Sequence, residues 1–399
     1  MSKKVLMVMP VMKGGGAEKV AARLLNQLNK NGYDCSFLLT SCDSSEVVNC
    51  NLDPSIPIEI LREKFENNPF KMLMFKVLRL FSSLFCKVFE VSGVNVPWVF
   101  AYFSFVCEYN REIKALRNRL KDEPQTTVIS FLQPSIPITL IACKNLKNNV
   151  VISERGDPKR LMKKRYGYKF IKKFYNRADK IVFQTEDALN TYPPEFKEKG
   201  VVIFNPLGDD LPPAYEGERN LNITTFCRIS RQKNLLLLCK AFNIVHKEFP
   251  QYTLKIVGGT QNSDDELCLE EVKAYLTAEG LEGYTQFFPF SKNVLEEICM
   301  DAVYVNSSDY EGMSNAMLES MAIGMPVVCT DCPIGGAAAV IKDGENGLLA
   351  KVGDADALAK AIIKVIGDKE FSKKLSLNAI KIRDDLSLRN IASKWMELL

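Results

Sequence analysis

The sequence predicts an α/β protein of two doubly wound domains, and three observations carry that expectation. Short apolar runs rich in Val and Ile alternate with amphipathic segments along all 399 residues. The runs fall into two series, parted by the stretch 205–213, whose prolines and acidic residues give it linker composition. The charge changes sign there. Residues 1–205 hold 32 Lys and Arg against 20 Asp and Glu, net +12, and residues 206–399 hold 20 against 28, net −8.

Apolar strands that barely alternate belong to parallel sheets covered by helices on both faces. The first series reads as strands at 5–10, 35–40, 127–131, 150–154, 180–185 and 201–205. The second reads as strands at 222–227, 254–258, 285–289, 303–307 and 326–329. Domains are expected at 1–205 and 206–385, with a terminal helix over 386–399. Ligands of such sheets bind outside the carboxyl ends of the strands, where loops meet helix N-termini. The chemistry is therefore sought just after each strand.

Composition narrows the class. At 47% hydrophobic and 25% charged residues, the chain is ordinary globular protein, which excludes collagen-like and disordered readings. The twelve cysteines are scattered and no secretory signal is read at the start, so reduced core thiols in a cytoplasmic protein are expected. Cys329 and Cys332 form a lone C-x-x-C and read as a buried strand end plus a loop thiol. His246 is the single histidine. It reads as a surface residue, and its solitude excludes multi-histidine metal sites. No run of about 20 apolar residues suggests a membrane span.

Three loops carry candidate chemistry. Gly14-Gly15-Gly16-Ala17-Glu18 follows the first strand. A helix pattern with Val20, Leu24, Leu25 and Leu28 comes next, stopped by Gly32. Glycines there allow close backbone approach to a ligand with free N–H groups, though the same loop alone is equally a tight turn. After the strand at 222–227 come Arg228, Arg231 and Lys233, then a helix with Leu236, Leu237, Ala241 and Val245. These cations suit a diphosphate; alone they are equally a solvated basic loop. After the strand at 303–307 runs Asp309-Tyr310-Glu311-Gly312-Met313-Ser314-Asn315-Ala316-Met317-Leu318-Glu319, with a helix expected from about 313. N–H groups around Gly312–Asn315 offer an anion cradle, flanked by two carboxylates able to accept hydroxyl hydrogen bonds. A phosphate, a ribose and a sugar in series describe a nucleotide sugar.

Glu311 and Glu319, with seven residues between them, resemble the E-x7-E motif of the retaining family 4 glycosyltransferases, the glycosyl transferases group 1. The resemblance spans essentially the whole chain. It takes in the Gly-Gly-Gly-Ala-Glu loop, Ser153-Glu154-Arg155, Arg228 with Lys233, Ile256-Val257-Gly258, Pro326-Val327-Val328 and Asp343-Gly344-Glu345-Asn346-Gly347-Leu348. It implies the GT-B fold, two Rossmann-like domains facing across a cleft.

By that resemblance Arg228 and Lys233 hold the donor diphosphate and stabilise its charge as it departs. Glu311 contacts the donor sugar and Glu319 the ribose. Gly312, Met313, Ser314 and Asn315 give backbone donors to the phosphates, and Gly15 and Gly16 reach them from the other domain. Phe288 and Pro289 flank the base. No metal or other cofactor is implied. The chain departs from its relatives in two places. Many carry a histidine where this sequence has Leu132-Gln133-Pro134-Ser135, so Gln133, with Glu154 and Arg155, is the acceptor-side candidate. The loop 331–337 lacks charges that some relatives have.

A further reading concerns the basic half. Residues 70–90 read as a helix with a wide apolar face edged by Lys and Arg, and 97–107 add five aromatics. Residues 159–173 hold eight cations and no acid. Such segments suit an anionic membrane surface, or else core helices with a solvated basic face. The resemblance implies a retaining hexosyltransferase, and the basic half places it on the cytoplasmic face of a membrane. Its expected partners are a UDP-sugar and a lipid-linked or oligosaccharide acceptor, and no nucleic acid. An epimerase of the same fold and a non-catalytic basic binding module are the alternatives.

Overall fold

In a computed structural model, residues 3–61, 77, 80, 84, 98–159 and 173–399 are described. Most of the 70–90 helix and of the 159–173 basic run lies outside them. The chain divides into two units, one of Met1–Gln184, Ala188–Ile203 and Ile391–Leu399, the other of Thr185–Asp187 and Phe204–Asn390.

Among the described residues the first unit holds a seven-stranded, wholly parallel sheet. Its strands are β1 (Lys4–Met9), β2 (Asp34–Leu39), β3 (Ile58–Ile60), β4 (Thr127–Phe131), β5 (Val150–Ser153), β6 (Lys180–Phe183) and β7 (Gly200–Val202). Their order is β3-β2-β1-β4-β5-β6-β7. β1 and β4 are buried along nearly their whole length, as strands covered on both faces must be. The Gly16–Lys30 helix lays Val20, Ala21, Leu24, Leu25 and Leu28 on the sheet, the apolar stripe that a 3.6-residue period produces. From the end of the chain Trp395 returns to this core. Its ring lies 5.6 Å from that of Phe131.

The second unit repeats the plan with β8 (Asn220–Phe226), β9 (Thr253–Val257), β10 (Thr285–Phe288), β11 (Asp301–Asn306), β12 (Val327–Asp331) and β13 (Leu348–Lys351). Their order is β10-β9-β8-β11-β12-β13, again all parallel. Its core joins Leu238, Phe242 and Val245 of the Leu235–Glu248 helix to Ile223, Leu254, Val303 and Val305 of the strands.

In both sheets strand order reverses between the first strand and the fourth. Loops leaving those two strands diverge to opposite faces and open a crevice at their carboxyl ends. In the first unit these are the loops after β1 and β4, bearing Gly14–Gly16 and Gln133. In the second they follow β8 and β11 and bear Arg228–Lys233 and Glu311. The topology thereby brings together residues far apart in the chain, such as Gln232 and Glu311, 79 positions from each other.

The structure corrects several expectations. β3 and β13 were not foreseen. His246 is half-buried, not a surface group: its ring lies 4.0 Å from that of Tyr284 and its Nδ1 is buried. Asn205, placed in a linker, is 3% exposed. In the aromatic segment Phe105 is 3% exposed and packs on Tyr109, and Tyr102 stacks on Phe174 at 5.3 Å. Phe103 alone among these three is exposed. Among the described residues no helix is long and apolar enough to cross a membrane.

Candidate active site

The most developed site lies in the second unit, where the loops after β8 and β11 are bonded to each other. Asp309 N–H donates to the Gln232 carbonyl at 2.9 Å, and Ser307 Oγ to the Lys233 carbonyl at 2.9 Å. Gln232 Nε2 donates to the Tyr310 carbonyl at 2.9 Å and to Glu311 Oε2 at 3.3 Å. Asn234 Nδ2 reaches Asp309 Oδ1 at 2.7 Å. Asn234 sits at φ 44°, a left-handed conformation that asparagine tolerates better than most residues. Its side chain also caps the Leu235–Glu248 helix.

This latch sets the Lys233 ammonium directly on Glu311 Oε1. The two side chains are only 19% and 12% exposed. Burial alone would lower the Lys233 pKa, but the Glu311 carboxylate outweighs it and holds the ammonium above its usual value. Ser308 Oγ lies 3.2 Å from Glu311 Oε1, but its one hydrogen is shared with the closer Asn306 Oδ1 at 2.6 Å.

Arg228 is more open. It bonds Gln261 Oε1 at 3.1 Å and lies 3.8 Å from the buried Asp265 carboxylate. Arg231 is drawn off to Asp264 and Glu271, so of the three cations in this loop Arg228 and Lys233 remain as anion-binding candidates.

The helix beyond Glu311 spans Asn315–Ala322, with Ser314 as N-cap, accepting from Met317 N–H. It starts one to two residues after the expected Met313–Ser314. The backbone N–H groups of Gly312, Met313 and Ser314 meet no acceptor among the described residues. They stand at the positive end of the helix dipole, which favours an anion. Glu319 lies on this helix and is 8% exposed. Asn205, missed in the sequence, belongs here too: its Nδ2 donates to the Met313 carbonyl at 3.1 Å and to Asn315 Oδ1 at 2.7 Å. A lone Asn among prolines carries no signal for such a role. Phe288 and Pro289, at the exposed end of β10, are solvent-facing. They lie on the sheet edge next to β9, and Phe288 carbonyl accepts from Gly258 N–H at 2.9 Å.

In the first unit the glycine loop does not keep its N–H groups free. Gly15 N–H donates to Glu18 Oε2 at 2.5 Å and Lys13 N–H to the same oxygen at 2.9 Å. The loop is therefore closed by its own carboxylate, the acidic half of a capping box, since glycine at the N-cap has no side chain to supply the other half. Gly16 begins the helix. At the other crevice loop, Gln133 Nε2 donates to Tyr175 Oη at 2.9 Å, and Tyr175 donates to Glu154. Burial and the nearby Glu154 charge push the Tyr175 phenol well above its usual pKa. Arg155 stacks its guanidinium 4.6 Å from the Phe131 ring centre. Gln133 and Glu154 thus form one cluster through Tyr175, which the sequence did not single out.

Residues 216–382 match the family described as glycosyl transferases group 1. Over its full length the chain is 22% identical to an uncharacterised glycosyltransferase of Haemophilus influenzae, covering 100% of both chains. It is 25% identical to a Campylobacter jejuni enzyme named as an alpha-1,4-N-acetyl-D-galactosaminyltransferase acting on a diNAcBac-PP-undecaprenol saccharide, over 71% of this chain and 77% of that one. Among solved structures it resembles Anabaena HepE in complex with UDP and glucose, with a TM-score of 0.76, 17% identity, and 100% and 99% of the two chains covered. The fold is GT-B, and the protein is a glycosyltransferase.

Proposed function

Starting from a GT-B glycosyltransferase, we propose that this chain moves a hexose or N-acetylhexosamine, with retention, from a UDP-sugar to a lipid-linked saccharide. The observation that carries this reading is the second-unit crevice. It combines a buried cation–carboxylate pair, Lys233 with Glu311, with three N–H groups at Gly312–Ser314 that meet no acceptor among the described residues and a helix that bears Glu319. The N–H groups and Lys233 suit a diphosphate, Glu311 a sugar hydroxyl, and Glu319 a ribose. The family 4 assignment rests on the same E-x7-E spacing.

In this reading the bond from the sugar C1 to the diphosphate oxygen breaks as the acceptor oxygen attacks the same face. The acceptor proton passes to the departing diphosphate. Lys233 and Arg228 stabilise the charge that grows there. The step requires no histidine, in keeping with Gln133 at the position where relatives carry one, and it calls for no metal. The cluster of Gln133, Glu154, Tyr175 and Arg155 would meet the acceptor. The Campylobacter relative, named for an undecaprenol-PP saccharide, favours a lipid-linked acceptor. A lipid acceptor in turn favours docking of the basic first unit on the cytoplasmic face of an anionic membrane.

The test is incubation with a panel of UDP-, GDP- and ADP-sugars, measuring donor hydrolysis and transfer and the anomeric configuration of any product. Turnover of one UDP-hexose or UDP-N-acetylhexosamine with the donor anomer kept is expected. Turnover of another nucleotide class alone, or an inverted product, would overturn the assignment.

A further inference from the structure

We propose that Glu311 competes internally for Lys233, so that the crevice holds a nucleoside diphosphate well only when a sugar arrives with it. The inference rests on the donor reading above and deepens it from substrate class to selectivity.

A diphosphate entering this crevice needs the Lys233 ammonium, and the Glu311 carboxylate already claims it in direct contact. Both claimants are anionic, and both side chains are largely removed from water. Their mutual repulsion is correspondingly strong. If Lys233 turns to the diphosphate, Glu311 keeps the neutral donor Gln232 Nε2 at 3.3 Å, while the Ser308 hydroxyl hydrogen goes to Asn306 Oδ1, 2.6 Å from Oγ. Glu311 loses its counterion while a second anion lies close by. A hydroxyl of the donor sugar donating to Glu311 offsets that loss, and UDP alone carries only its ribose hydroxyls, which this reading places at Glu319. The pair therefore links recognition of the sugar to recognition of the diphosphate.

The same exchange acts after transfer. Once the sugar has left with the acceptor, Glu311 reclaims Lys233 and weakens the hold on UDP. Gln232 is a positioning residue in this scheme. Its second amide hydrogen is fixed on the Tyr310 carbonyl at 2.9 Å, which keeps Glu311 in place while its partner changes.

The experiment is calorimetric titration of wild type, Glu311→Gln and Glu311→Asp with UDP and with UDP-glucose, UDP-galactose and their N-acetylated counterparts. Glu311→Gln should bind UDP roughly tenfold more tightly than wild type, the scale of one charge-assisted hydrogen bond. It should also lose the preference for the best UDP-sugar over UDP. Glu311→Asp keeps the charge on a shorter arm and should fall between the two. It decides the matter if the glutamine variant does not fold. Variants that bind UDP no better than wild type, or that keep its preference, would overturn the inference while leaving the donor reading intact. Wild type that binds none of these nucleotides would overturn both.

Discussion

Gly336 lies so close to Gly312 that a Cβ at Gly336 would stand 1.7 Å from the Gly312 carbonyl oxygen. No real Cβ approaches backbone to that distance. The loop after β12, read from sequence only as lacking charges, therefore braces the Glu311 loop from behind. Two backbone bonds strengthen the brace, Glu311 N–H to the Pro333 carbonyl at 2.9 Å and Ile334 N–H to the Glu311 carbonyl at 3.1 Å. Gly336→Ala should push the Gly312–Ser314 N–H groups off position and cut nucleotide affinity. The control is Gly283→Ala, where an added Cβ meets nothing within 4 Å. Equal UDP affinity in the two folded variants would refute the bracing role.

A second prediction concerns stability alone. Asp301 is 1% exposed at the start of β11, the end of the strand away from Glu311. It accepts from Thr224 Oγ1 at 2.6 Å and Asn222 Nδ2 at 2.8 Å, and pairs with Lys255 at 3.4 Å. Asp301→Ala leaves the Thr224 and Asn222 donors without this acceptor and leaves Lys255 with the Glu297 carbonyl, at 3.0 Å, and the Phe288 ring. Breaking a buried pair costs about 3–5 kcal/mol. Urea denaturation should show a loss of that order, with UDP affinity of the folded protein unchanged. A loss below about 1 kcal/mol, within the range of an exposed pair, would contradict the account.

Much of this is legible in the sequence. Near-continuous apolar runs mark eleven strands, most of them rich in Val and Ile, and Gly, Arg-Lys and Glu fall after the strands where crevice residues must fall. Other parts cannot be read there because they depend on contacts across the fold. β3 reads Ile-Glu-Ile and β13 Leu-Leu-Ala-Lys; a central charge in the one and helix-favouring Leu and Ala in the other mask the strand. Asn205 gains its role by meeting Met313 and Asn315, 108 and 110 residues away. The closure of the glycine loop by Glu18 was within reach, since an acid three residues past an N-cap is a local pattern. A glycine cap without a side chain concealed it.

The thiols give a pH prediction. Burial pushes Cys227 to about 11 and Cys332 to about 12, while unfolded thiols ionise near about 8.5. The folded chain thus keeps protons that the unfolded chain gives up. The stabilisation from this source is complete below the unfolded value and is lost as pH rises toward the folded values. Denaturation midpoints should fall between pH 8 and pH 10, and Cys227→Ala should flatten that fall. A midpoint that holds steady to pH 10 would rule this out.

At the donor site, Glu319→Ala should weaken UDP binding about tenfold to a hundredfold, as ribose hydroxyls lose a charged acceptor. Arg228→Ala should instead lower kcat more than affinity, because the diphosphate charge grows only as the bond breaks. Calorimetry and steady-state kinetics on the same preparations separate the two. Glu319→Ala with wild-type affinity, or Arg228→Ala with losses confined to KM, would reverse the assignments.

The last prediction concerns where the enzyme works. Three described residues of the 70–90 segment, Val77, Leu80 and Leu84, are helical and are 42%, 69% and 64% exposed. Their spacing puts them on one helix face. Apolar side chains turned to water need a reason, and the segment belongs to the basic part of the chain, 1–205, net +12. An anionic bilayer supplies both partners. Basic groups near it contribute about 1 kcal/mol each, a contribution that salt screens. Inserted apolar groups add a contribution that salt hardly touches. Co-sedimentation with anionic vesicles should therefore weaken as salt rises without vanishing. Replacing Lys163, Lys164 and Arg165 with Glu should reduce vesicle binding and leave UDP affinity alone, since the nucleotide crevice belongs to the second unit. Replacing Leu80 and Leu84 with Ser should remove the salt-resistant part. Wild type that ignores anionic vesicles even at low salt would mean that the exposed leucines serve some other partner and that the acceptor need not be a lipid.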